Sequence, residues 1–234
     1  MSREPRGAAE SEAEADLTFV FADLAGFTAL TEVHGDEHAA DVATDFRDEV
    51  RRLLPLHMCE EVQPIGDALM MLAAEARRAV ELGVCIVEEI GARHGFPVIR
   101  VGMHTGPVVR RGNDWFGSTI NVAARVSAAA VGGEVLLTDA TRAAAGTLEG
   151  IHLHERGRRE FKNVRDPVLL FAAARGRSDS ASGLPMDPVC RMAVDPAHCA
   201  GYLRYAGAEY HFCSLACANA FSAAPDRYAG QGQT

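Results

Sequence analysis

Two stretches decide how this chain is read: Leu17-Thr-Phe-Val-Phe-Ala-Asp-Leu-Ala-Gly-Phe-Thr28 and, further on, Glu61-Val-Gln-Pro-Ile-Gly-Asp-Ala-Leu-Met-Met-Leu72. The first begins as a β-rich run and reaches Asp23 shortly before Gly26. The second is a pair of short apolar runs around Gly66-Asp67, which predicts a β-hairpin. If these strands are neighbours, the carboxylates of Asp23 and Asp67 converge. Paired carboxylates at strand ends, with no lysine nearby to neutralise them, repel each other unless cations intervene. Hard oxygen ligands of this kind suit Mg²⁺ or Mn²⁺, which keep part of their water and bind substrate phosphates. Aspartate is also common beside glycine in turns, so the two residues by themselves leave an ordinary pair of turn aspartates as the alternative.

Outward from this pair, helix and strand signals mix. Val42, Ala43, Phe46, Val50, Leu53 and Leu54 fall at helical spacing, and Pro55 closes the run. Ala79, Leu82, Val84, Ile86, Val87 and Ile90 predict another helix, stopped by Gly91. Residues 98–102 predict a strand and Gly106-Pro107 a turn. Ser118 is a candidate N-cap for a helix from Thr119 to about Ala130. Later strands are predicted at 134–138, 151–154 and 168–171. This order predicts an α+β sheet with helices on one face.

Composition sets the outer limits. The chain has 234 residues, 48% of them apolar and 24% charged, enough for a core and too apolar for wholesale disorder. A net charge of −9 argues against a chain-wide nucleic-acid-binding face. No apolar run approaches the ~18–20 residues of a membrane span. Residues 1–16 are acidic, Ala/Glu-rich and lack the apolar core of a signal peptide, so a disordered N-terminus and a cytoplasmic location are expected. Residues 176–183 are small, polar and aperiodic. They read as a linker between a body, 17–175, and a tail, 184–230. Lys162 is the sole lysine. Cys59 and Cys85 are scattered in the body, while Cys190, Cys199, Cys213 and Cys217 crowd the tail. In a cytosolic chain such a cluster points to metal before disulfides.

The words around the two aspartates resemble a known family. Phe21-Ala-Asp-Leu-Ala-Gly-Phe-Thr28 and Val62-Gln-Pro-Ile-Gly-Asp-Ala-Leu-Met70 resemble the two metal-site motifs of class III nucleotide cyclases. Val101-Gly-Met-His-Thr-Gly-Pro-Val108 looks like their central strand. Asp114-Trp-Phe-Gly-Ser-Thr-Ile-Asn-Val-Ala-Ala-Arg-Val126 looks like their dimer-facing helix, and Gly133-Glu-Val-Leu-Leu-Thr138 and Glu160-Phe-Lys-Asn-Val164 resemble the closing segments. The matches keep the family's order from about Leu17 to Ala174. The resemblance implies a ferredoxin-like, palm-type domain with helices packed on a mainly antiparallel sheet. It implies conversion of a nucleoside triphosphate to a 3′,5′-cyclic monophosphate and pyrophosphate at a site shared across a homodimer. In this likeness Asp23, Asp67 and the Leu24 carbonyl hold two Mg²⁺ or Mn²⁺ ions. Ala25, Gly26, Phe27 and Thr28 open a helix whose N–H groups suit phosphates. Asn121 and Arg125, one turn apart on one helix face, orient the ribose and meet transition-state charge, and Lys162 binds the triphosphate. Gln63 and Asp114 occupy the base-reading positions. Asp114 fits the adenine pattern, while Gln63 fits neither the adenine nor the guanine pattern, since its amide can donate or accept. ATP is the expected substrate and GTP the alternative. An inactive cyclase fold serving as a platform for the tail is the rival from outside the enzymes.

The tail resembles a YHS domain of the TRASH-like metal-binding group, through Asp187-Pro-Val-Cys-Arg-Met-Ala-Val194 and Tyr210-His-Phe-Cys-Ser-Leu-Ala-Cys217. Cys213 and Cys217 are spaced to point one way if Ser214 starts a helix. With Cys190 they make three soft ligands suited to Zn²⁺ or Cu⁺. Cys199, His211 and His198 are the candidate fourth donors. The remaining histidines, His34 among them, have no mutual ligand spacing.

Overall fold

The computed structural model of the chain describes residues 15–176 and 184–230. In it β1 (Ala15–Leu24) lies antiparallel between β3 (Ala68–Ala73) and β4 (Ile99–Arg111). β2 (Cys59–Ile65) pairs with β3 across Gly66-Asp67, the hairpin expected. Beyond β4, β6 (Val135–Thr138) joins parallel, and β8 (Val168–Arg175) and β7 (Ile151–Arg159) follow antiparallel. The sheet runs β2-β3-β1-β4-β6-β8-β7, with β5 (Asp114–Phe116) folded back on the end of β4. It is the mainly antiparallel α+β sheet expected.

The expectation of helices on one face needs correction. Successive side chains of a strand point to opposite faces. Val20, Ala22 and Leu24 enter the core beneath α1 (Phe27–His34), α2 (Asp36–Leu53) and α3 (Ala76–Cys85). Phe19 and Phe21 point the other way, onto Met70, Leu72, Val108 and Ala123 of α4 (Ser118–Ala129). Farther along, Val122 and Val126 of α4 cover Leu136, Leu170 and Ala172. A strand with no polar face must be covered on both sides, and α4 is that second cover. A short α5 (Asp139–Ala145), capped by the Thr138 side chain, follows β6 where the sequence gives no clear helical signal.

The predicted turn at Gly106-Pro107 is absent: β4 runs straight through it, with Asp16 and Leu17 opposite. The chain reverses instead at Gly112, where φ is +62°. Gly102 and Gly106 serve a close approach. A Cβ at Gly102 would lie 2.0 Å from the Ser127 nitrogen, and one at Gly106 2.8 Å from Thr119 Oγ1. Thr119 Oγ1 donates to the Pro107 carbonyl at 2.8 Å, pinning α4 to the strand. Ser118 is accordingly the first helical residue, and Gly117 takes the N-cap position without a side-chain cap. Ala15 and Asp16, expected in the disordered N-terminus, pair with Val108 and Pro107 in the sheet. The rest of that stretch (1–14), and 177–183 of the linker, lie outside the described residues.

The C-terminal module comprises a loop with a bridge between Met186 and Ala193, a hairpin of β9 (Gly201–Tyr205) and β10 (Ala208–Phe212), then α6 (Leu215–Ala223) and α7 (Pro225–Tyr228). Phe221 is its hub, ringed by Tyr205, Tyr210, Phe212 and Tyr228. The module is seated on the body. Val189, Cys190, Met192, Phe212, Cys217 and Phe221 belong to the same apolar core as α1 and α2. Backbone bonds join the two: Val98 N donates to Arg191 O at 3.1 Å, and Ala193 N to Phe96 O at 2.8 Å.

Candidate functional sites

Asp23 sits near the end of β1 and Asp67 in the β2–β3 turn, so pairing of β1 with β3 brings the carboxyls together. Burial first, then hydrogen bonding to and repulsion from Asp23, push the Asp67 carboxyl up to about 6. The cross-strand partner of Asp23 is Arg100 on β4, whose Nε donates to Asp23 Oδ2 at 2.7 Å. The cation beside the pair is thus an arginine delivered by the register of β1 against β4, a partner that spacing along the chain does not reveal.

After Leu24, which is fully buried, Ala25 N donates to Val98 O at 2.7 Å. Gly26 then turns the chain in the left-handed region (φ +88°) as the N-cap of α1. No side-chain cap hydrogen bond closes this end, where the first N–H groups of α1 come from Phe27 and Thr28.

On α4, Val122 and Val126 face the core while Asn121 and Arg125 are exposed on the opposite side. They line a groove of about 630 Å³ together with Ser118, His104 and the turn from Lys162 to Val168. The structure therefore brings Asn121, Arg125 and Lys162 together. It leaves Asp23, Asp67, Gln63 on β2 and Asp114 on β5 outside that groove, Gln63 and Asp114 both exposed. His104, not singled out from the sequence, contributes Nδ1 at 2.8 Å from Thr138 Oγ1. Burial pushes its pKa down to about 4, so it stays neutral at physiological pH.

The tail cysteines form a second site. Cys190 Sγ lies 3.3 Å from Cys213 Sγ, which lies 3.8 Å from Cys217 Sγ. All six cysteines of the chain are free of disulfides. The buried Asp187 carboxylate accepts from Val189 N at 2.9 Å and from Cys213 N at 2.9 Å, tying the two cysteine-bearing segments together. Ser214 caps α6 as expected, its Oγ accepting from Cys217 N. Hydrogen bonds from Cys190 and Cys213 hold Cys217 well below the ordinary thiol value, and giving those bonds keeps Cys190 above it. The expected fourth donors stand elsewhere: Cys199 bonds to Pro196 O, His211 pairs with Glu209 and His198 with Asp195. The residue that does reach the thiols is His34, at the end of α1.

The domain thus combines a mainly antiparallel α+β sheet, paired strand-end carboxylates, a helix start without a side-chain cap and an Asn/Arg/Lys groove. Residues 9–173 match the family model described as the adenylate and guanylate cyclase catalytic domain, and the chain belongs to that family. Residues 186–232 match the YHS domain. The chain is 34% identical over 172 residues to the pH-sensitive adenylate cyclase MT1302 of Mycobacterium tuberculosis, an alignment covering 71% of this chain and 43% of that protein. It is 32% identical over 120 residues to an adenylate cyclase of Streptomyces griseus, covering 51% and 30%. The chain thus spans less than half the length of these relatives. Among solved structures, the adenylyl cyclase CyaB from P. aeruginosa superposes with a TM-score of 0.63 at 21% identity, over 71% of this chain and 97% of that one. The guanylyl cyclase Cya2 gives 0.63 at 22% identity, over 74% and 99%.

Proposed function

We propose that the chain is a nucleotide cyclase that converts ATP to 3′,5′-cyclic AMP and pyrophosphate, working in the cytoplasm as a homodimer with two Mg²⁺ or Mn²⁺ ions per site. The observation that carries this is the Asp23/Asp67 pair. Burial, and after it the hydrogen bond to and repulsion from Asp23, lift Asp67 to about 6, with Arg100 opposite Asp23. Hard divalent cations fit that donor set. Asp23, Asp67 and the Leu24 carbonyl would hold them. When bound, such ions lower the pKa of the ribose 3′-OH and draw charge from the triphosphate.

The remaining roles fall to this chain's own residues. In the segment 25–28, where Ala25 N is already bonded to Val98 O, the N–H groups of Phe27 and Thr28 at the start of α1 hold the β- and γ-phosphates. Lys162 holds the triphosphate. Asn121 orients the ribose so that its 3′-oxygen lines up with the α-phosphorus. The new P–O bond forms as the bond to pyrophosphate breaks, the 3′ proton passes to solvent, and Arg125 meets the charge growing on the α-phosphate. Gln63 and Asp114 read the base, Asp114 accepting from the exocyclic amine of adenine. The carboxylate pair and the Asn/Arg/Lys groove are separate in one chain, which supports assembling each site from two subunits. Exposed Phe116 (52%) and Ile65 (45%) beside these elements support an apolar contact between copies. No helix among the described residues is long and apolar enough to cross a membrane. We also propose that the C-terminal module adjusts the rate according to its metal or thiol state.

Gln63 favours a second reading, a guanylate cyclase, because its amide can turn to accept from guanine N1–H. Product analysis separates the readings. Purified protein is incubated with Mn²⁺ or Mg²⁺ and with ATP or GTP separately, with Asp23→Ala as control. Cyclic AMP that disappears in the control is the expected result. Cyclic GMP would replace the adenine reading, and no cyclic product from a folded dimer would leave the chain a platform for the module.

A further inference from the structure

We infer that Cys190, Cys213, Cys217 and His34 form one tetrahedral Zn²⁺ site shared by the two parts of the chain, its single nitrogen supplied by the helix that follows Asp23. In a four-coordinate site with Zn–S about 2.3 Å and Zn–N about 2.0–2.1 Å, sulfurs stand about 3.8 Å apart, and the nitrogen about 3.6 Å from each. Here the thiol separations include 3.3 and 3.8 Å, and His34 Nε2 lies 3.6 Å from Cys213 Sγ and 3.5 Å from Cys217 Sγ. All four ligand atoms lie within 4.8 Å of one another. A disulfide would use two sulfurs and give no reason for a third sulfur and an imidazole nitrogen to converge on the same point.

The three sulfurs are fixed from within the module, by the Asp187 carboxylate and the Ser214 cap. His34 alone comes from the body, so filling the site adds a bond between module and α1. The opposite end of that eight-residue helix, about 12 Å away, is also gripped by the module. A Cβ on Gly26 would lie 2.7 Å from Arg191 Cγ, next in sequence to the ligand Cys190. The module holds α1 at both ends, and zinc sets how firmly. That zinc thereby positions the phosphate-binding segment 25–28 rests on the proposed cyclase function; the existence of the site does not.

The test uses the reduced, metal-free full chain, titrated with Zn²⁺ and separately with Co²⁺, and amide hydrogen exchange. One equivalent is expected, with the absorption of tetrahedral Co²⁺ and an X-ray absorption shell of three sulfurs and one nitrogen. His34→Ala is expected to weaken zinc at least about tenfold and to alter the cobalt spectrum. His34→Cys restores tight binding with four sulfurs, while Cys199→Ser and His211→Ala change neither. Zinc is expected to slow exchange at 27–34 in the native chain and not in His34→Ala. Unchanged affinity and spectrum in His34→Ala would overturn the assignment, as would uptake of copper(I) alone into an all-sulfur site. Equal slowing of 27–34 in that variant would overturn the grip on α1. Neither readout involves turnover, so an inactive cyclase leaves this inference standing, and a cyclase indifferent to His34→Ala leaves the catalytic reading standing.

Discussion

Replacing Asp67 with asparagine should make the metal-free protein more stable while removing its activity. A carboxyl raised from 3.8 to about 6 binds a proton in the folded chain that the unfolded chain has released. Stability therefore falls as pH rises from 3.8 towards 6, and the full penalty is present above that window. For a fully buried group the penalty would be about 3 kcal/mol. Asp67 is half-buried, and screening by solvent reduces this to about 1–2 kcal/mol. The amide in the D67N protein has no charge to desolvate. At pH 7, without added divalent ions, D67N should melt about 2–8 °C higher, since about 1 kcal/mol moves Tm by about 2–4 °C in a chain of this size. The gap should shrink to about half by pH 5 and nearly vanish at pH 3.8. Millimolar Mn²⁺ should then raise the Tm of the native chain and not of D67N, because a cation bound only by the folded state stabilises by mass action. Activity in D67N should fall a hundredfold or more, as expected when a metal worth several kcal/mol is lost. A D67N protein that is less stable at pH 7, or equally stabilised by Mn²⁺, would refute the reasoning. Asp67 would then be an ordinary turn residue.

The other expectations concern separate parts of the molecule. Mixing D67A with R125A protein should restore up to about a quarter of native activity, since half of randomly formed dimers carry one intact site; no rescue from demonstrated heterodimers would refute the shared site. Gln63→Lys should raise selectivity for ATP over GTP by about tenfold, measured as kcat/KM for each, because a fixed donor replaces a reversible amide. The His104 pKa, pushed down to about 4 by burial, means that stability is complete above pH 6.5 and declines as pH falls towards 4; urea midpoints of His104→Gln should lose that part of the acid sensitivity, by up to about 3 kcal/mol. Gly102→Ala should cost at least about 4 kcal/mol, read as loss of soluble protein or of its cooperative melt, because its Cβ would collide with the backbone of α4.

What the sequence made legible was local. The hairpin around Gly66-Asp67 and the strand that carries Asp23 announce themselves through short β-rich apolar runs and turn residues. The spacing of Cys213 and Cys217 is likewise local, being one turn of a helix that starts beside Ser214. What it hid depends on register and on distance along the chain. Arg100 meets Asp23 because Asp23 pairs with it across β1 and β4, and no spacing rule supplies that register. Gly106-Pro107 carries turn chemistry, yet its glycine answers the approach of Thr119 from α4. Phe19 and Phe21 did advertise a second buried face, which an order of elements could not convey. His34 stands 179 residues before Cys213, so any search for ligands by local spacing passes over it.

These hidden contacts converge on one short helix. α1 begins at Gly26, where a left-handed φ of +88° and the Arg191 side chain each exclude a β-carbon, and it ends at His34 against the thiols. Two independent requirements on one glycine place the turn between Asp23 and α1 directly against the module. Cys190 and Arg191 are adjacent, so in the proposed zinc site a ligand and the side chain lying on Gly26 belong to one short segment. Coupling between sites is a difference in contacts between two states. In the proposed zinc site the differing contact would be the metal bond to His34, in place of the thiol–imidazole contacts at 3.5 and 3.6 Å. The module's effect on the cyclase domain should therefore follow occupancy of the cysteine site and be lost in His34→Ala, even where the module itself stays folded and seated through the Val98–Arg191 and Phe96–Ala193 backbone bonds.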